Sequence, residues 1–126
     1  MNLERAKKAE ETIIDAAKIL DQIIQQISTE KNISDFPHTT WEIFSKIEYS
    51  ILMLKLYLGN ENPGRLIKKD MINKNGQEML VDVSNEITDA LMSFRDEKYF
   101  NALESARRAR NSLHALLIAI RNNRIK

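Results

Sequence analysis

Apolar residues recur at helical spacing along most of this chain, and in one stretch they crowd out the polar positions between them. Over residues 3–27, Ala6, Ile13, Leu20 and Ile27 repeat every seven positions, with Ala9, Ala16 and Ile23 three further on. That pattern predicts one amphipathic helix with a single buried stripe. Asn2 suits its cap, and Glu4 suits the positive end of its dipole. The small residues Ala9, Ala16 and Ala17 predict close approach by a neighbouring helix. Residues 41–58 differ, because twelve of the eighteen are apolar or aromatic and only four are charged. Ile43, Phe44, Ile47, Ile51, Leu54 and Leu58 share one face, and Trp41, Tyr49, Leu52, Met53 and Leu56 occupy much of the rest. Such a helix needs cover on two sides. It is expected to be the centre of the fold or the helix that meets a partner.

The connections follow from turn chemistry. Pro37 disfavours helix at Phe36, Thr39 and Glu42 read as a capping box, and His38 reads as an exposed loop residue just before it. Gly59 suits the left-handed position after a helix, and 60–64 with Pro63-Gly64 reads as the clearest turn. Leu66, Ile67, Met71 and Ile72 fit either two helical turns or an ordered loop, leaving room for a short extra helix near 65–74. A third helix is expected over 77–95, with Leu80, Val83, Ile87, Leu91 and Phe94 inward and Asp82, Glu86 and Asp89 outward. Asp96 reads as a tight junction and cap for a last helix over 97–122, with Tyr99, Ala102, Leu103, Ala106, Leu113, Leu116, Leu117 and Ile120 inward. Four long amphipathic segments with short connections predict an all-α antiparallel bundle of two helical hairpins, residues 1–126 forming one domain.

Composition narrows the chemistry more than it identifies any. The chain has no Cys and two His, which excludes thiolate zinc sites, thiol catalysis and disulfides and leaves no metal site or cofactor to expect. The charged start at Glu4–Lys8 argues against a signal peptide, and Glu42, Lys46, Glu48 and Lys55 argue against a membrane span at 41–58. A cytoplasmic location is the expectation. The net charge of +1 hides a gradient, since residues 97–126 alone carry seven basic and two acidic groups. No Gly-rich phosphate loop, Ser elbow or Glu-x-x-His pair is present.

The last helix carries the only constellation of interest. With Ala106 at the centre of its apolar face, Arg110 lies about 40° away, Arg121 about 60°, His114 about 80° and Arg107 about 100°. These four form a polar stripe bordering the core, a candidate anion or nucleic-acid site at Arg107, Arg110 and Arg121, while Arg108 points away. A covered Arg110 or Arg121 wants a carboxylate, for which Glu48 and Glu86 are the candidates.

The bundle length and this helix resemble HEPN domains, helical bundles that in many prokaryotic members are dimeric ribonucleases or nucleotide-binding partners. Their signature is an Arg, four to six residues, then a His; Arg108 and Arg107 precede His114 with five and six residues between. The family usually has a polar residue such as Asn after the Arg; here Asn111 follows Arg110, which is only three residues short of His114, whereas Ala109 follows Arg108. The resemblance implies metal-independent RNA cleavage, with His114 as acid or base, Arg107 or Arg110 stabilising the phosphorane, and Arg108 a further motif candidate. The segment 96–106 also resembles the helix start of short archaeal helical families of unknown function.

Two functional expectations follow. The first is a non-enzymatic homodimer joined through Trp41, Tyr49, Leu52, Met53 and Leu56 of the 41–58 helix. The second is a HEPN-like RNA-binding or RNA-cleaving module, or a small helical subunit of a ribonucleoprotein complex.

Overall fold

In a computed structural model, residues 3–27, 37–59 and 76–122 are described, and they form four helices. These are α1 (Leu3–Ile27), α2 (Pro37–Leu58), α3 (Gly76–Arg95) and α4 (Tyr99–Arg121). The fold is an all-α four-helix bundle. The expected turn at 60–64 and the extra helix near 65–74 lie outside the described residues.

Hydrophobic period accounts for α1 and α3. Ala6, Ala9, Ile13, Ala16, Leu20 and Ile23 are buried along α1, and Leu80, Val83, Ile87 and Phe94 are buried along α3 together with Met79 and Ala90. Both helices keep their expected boundaries to within one residue. Helix α2 begins earlier than its capping box suggested. Pro37, with no N–H to leave unsatisfied, opens the first turn, so Thr39 lies inside the helix and His38 is an exposed first-turn residue, not a loop one. At the other end Gly59 adopts φ 67, as expected for a residue just past a helix terminus.

The junction between α3 and α4 corrects a second expectation. Asp96 does not cap α4, because the cap position is Lys98 and no side chain bonds there. Instead α3 closes in a Schellman motif: Lys98 N–H donates to the Ser93 carbonyl and Glu97 N–H to the Phe94 carbonyl. Glu97 occupies the left-handed position with φ 57.

The helices pack in a ring, α1 against α2, α2 against α4, α4 against α3 and α3 against α1. Tyr99 at the start of α4 meets Tyr57 near the end of α2 and Phe94 near the end of α3. Glu10 near the start of α1 also acts on the Tyr99 phenol. Four helix ends therefore share one end of the bundle, and every adjacent pair is antiparallel. Helices α2 and α3 are diagonal and point the same way, which puts Leu58 and Gly76 at opposite ends. Local periodicity specifies helices but not which of them become neighbours.

The most enclosed helix is α4, with fourteen buried residues in its twenty-three. Small side chains on several of its faces, among them Ala102, Ser105, Ala109, Ser112, Ala115 and Ala119, let neighbours come close. Helix α2, expected either at the centre or against a partner, keeps only its first stripe buried: Ile43, Ile47, Ile51 and Leu54, with Thr40 and Ser50. Polar bonds also join neighbouring helices. Ser50 Oγ donates to the Ala9 carbonyl across α1–α2 at 2.9 Å, Ser112 Oγ donates to Glu86 across α3–α4, and Arg110 faces Glu48 across α2–α4.

Candidate functional site

The polar stripe of α4 and the second stripe of α2 meet where these two helices pack. From α4, Arg110 is buried, and its Nε lies 3.6 Å from Glu48 Oε1 and 3.3 Å from Asn111 Oδ1. The guanidinium was expected to seek Glu48 or Glu86, and it is Glu48 that it meets. Glu86 is taken up by Ser112. Arg107 is also buried, with Nη1 3.0 Å from Glu104 Oε1 one turn earlier. Arg108 is exposed and donates from Nη2 to Ser105 Oγ at 3.0 Å.

These contacts reach Glu48, Asn111, Glu104 and Ser105, and none of them points to His114. The half-buried imidazole instead lies 6.2 Å, ring to ring, from Phe44, which in turn meets Trp41 edge-on at 5.5 Å. His114 lines a mostly apolar cavity of about 250 Å³ with Trp41, Leu117, Ile118, Ile120 and Arg121. Arg121 was expected to be partly covered; it is exposed in the last turn of α4. Arg121 thus shares this cavity with His114. Sequence reasoning placed Trp41 and His114 in separate sites, because nothing local reports that residues on α2 and α4 will be packed together.

The second stripe of α2 is open over most of its length. Trp41 is 52% exposed, Tyr49 43%, Leu52 48% and Leu56 46%, whereas Met53 is half-buried against the core. Beside Leu52 runs a groove of about 460 Å³, lined by Glu48, Tyr49, Ile51, Leu52, Lys55 and Arg110. A further groove of about 400 Å³ at the α3–α4 turn has walls of mixed charge, Asp89, Asp96 and Glu104 against Lys98 and Arg108. Mixed charge at short range leaves little net field to select an ion of either sign.

Among the described residues, no group of His, Cys, Asp and Glu is arranged to hold a metal ion. None of the described helices is long and apolar enough to cross a membrane. No family model, no curated protein and no solved structure matches the chain.

Proposed function

We propose that this protein is a non-catalytic interaction module that self-associates through the outer face of α2. One observation carries the reading: Trp41, Tyr49, Leu52 and Leu56 are all 43–52% exposed and fall within an arc of about 80° on one helix. Isolated surface leucines need no explanation, but several large apolar groups in one continuous strip mark a contact surface. The same strip offers no nucleophile or general base held by a partner, which favours binding over reaction.

Sedimentation velocity of the purified chain at low micromolar concentration tests this. Concentration-dependent association is expected, and Leu52→Glu should abolish it while helicity by circular dichroism stays unchanged. A strict monomer overturns the proposal.

An RNA-binding or RNA-cleaving role, the HEPN-like alternative, draws support from the basic balance of residues 97–126 and the exposure of Arg108 and Arg121. It is the weaker reading because Arg107 and Arg110, which would serve the phosphate, already face Glu104 and Glu48. Salt-sensitive binding of single-stranded RNA, lost in Arg108→Ala with Arg121→Ala, would raise it above the first.

A further inference from the structure

The outer face of α2 is self-complementary about one residue. Viewed down the helix, Glu48 and Lys55 lie about 40° and 60° to one side of Leu52, and Tyr49 and Leu56 lie about 60° and 40° to the other. Along the axis the members of each pair sit three or four positions before and after Leu52. One flank therefore carries an acid and a base at nearly equal distance from the centre, and the other carries two large apolar groups.

We propose that two copies pair through antiparallel α2 helices about a two-fold axis at Leu52, with Glu48 of each chain against Lys55 of the other. This deepens the self-association proposed above and rests on it. A two-fold axis between antiparallel helices reverses the chain direction and maps each flank onto itself. Glu48 then meets the partner's Lys55, Tyr49 meets the partner's Leu56, and Leu52 meets its own copy. An isologous contact requires a surface that complements itself, and opposite charges on one flank satisfy that requirement where two like charges would not. The groove of about 460 Å³ beside Leu52 is lined by Glu48, Lys55 and Arg110, so it borders the charged flank that this pairing brings against the partner. Trp41, eleven positions away, falls about 16 Å along the helix and at the edge of the pairing.

Charge reversal provides the test, because the two single variants are complementary to each other. Glu48→Lys alone places Lys against Lys twice, and Lys55→Glu alone places Glu against Glu twice. Each is expected to weaken self-association about tenfold or more by sedimentation equilibrium. An equimolar mixture restores both pairs and should associate as the native chain does. If the native chain dimerises but the mixture stays as weak as its components, this register is overturned while self-association stands. If the native chain is monomeric, both are overturned.

A second measurement does not depend on the charged variants folding. The chain has no cysteine, so Leu52→Cys introduces the sole thiol, and it would lie at the axis. Mild oxidation at low micromolar concentration should convert it to a covalent dimer far more completely than Val81→Cys, an exposed position on α3. Equal yields at the two positions overturn the axis.

Discussion

Arg110 of α4 holds its Nε 3.6 Å from Glu48 Oε1 of α2, yet the two side chains sit in different surroundings, one 9% and the other 45% exposed. The arginine stem is packed between helices while the carboxylate remains half in water. Arg110→Ala is therefore expected to cost about 2–3 kcal/mol, mainly through lost packing. Glu48→Ala should cost about 0.5–1 kcal/mol, because solvent screens its charge. Urea unfolding of both variants checks the ranking, and a larger loss at Glu48 would show that the ion pair outweighs the stem.

Ser50 joins α2 to α1 through a bond from its fully buried hydroxyl to the Ala9 carbonyl, 2.9 Å away. Removal of that hydroxyl in Ser50→Ala should cost about 1 kcal/mol. Ala9→Leu should cost more, about 2–3 kcal/mol, because a side chain at a completely buried position must push the helices apart. Equal thermal midpoints for Ala9→Leu and the native chain would contradict the close approach of α1 and α2.

Glu97 holds φ 57 at the position in a Schellman motif where glycine is usual. A side chain costs about 1–2 kcal/mol in that conformation. Glu97→Gly is expected to recover about 1 kcal/mol, and Glu97→Asn a part of it, read as a rise in the urea midpoint. No gain in either variant would mean that the Glu97 side chain compensates for its backbone.

Tyr99 carries a phenol whose pKa is raised, first by burial and then by Glu97, Tyr57 and Glu10. The folded chain thus holds this proton to higher pH than the unfolded chain does. Stability from this source is fully present below about pH 10 and is lost as pH rises through the folded value. Tyr99→Phe should flatten that part of the pH dependence. Comparing the two chains by urea unfolding between pH 9 and 11 isolates the effect, and parallel curves would exclude it.

Helix positions and core faces were legible because they depend on local spacing. Ile13, Leu20, Val83, Ile87, Leu103 and Leu113 are buried where a 3.6-residue period puts them. Termini were less legible. The Thr39–Glu42 pair resembles a capping box, but proline can open a helix two residues earlier, and Asp96 lost the cap role once the backbone at Glu97 turned left-handed. Residue spacing also suggested that Glu48 could serve Arg110, since each lies at the margin of its own stripe.

The sequence by itself determined that this chain forms four long helices, that it carries no thiol chemistry, and that α2 has more apolar surface than one neighbour can cover. Those properties follow from residue type and from periodicity over a few turns. Only the tertiary structure decided that α4, rather than α2, is the most enclosed helix. It also decided that α2 and α3 lie diagonally, and that His114 of α4 shares a cavity with Trp41 of α2. Each of these depends on which helices pack against each other. That choice is made by the fit of small and large side chains across whole faces, and no local stretch of sequence records it.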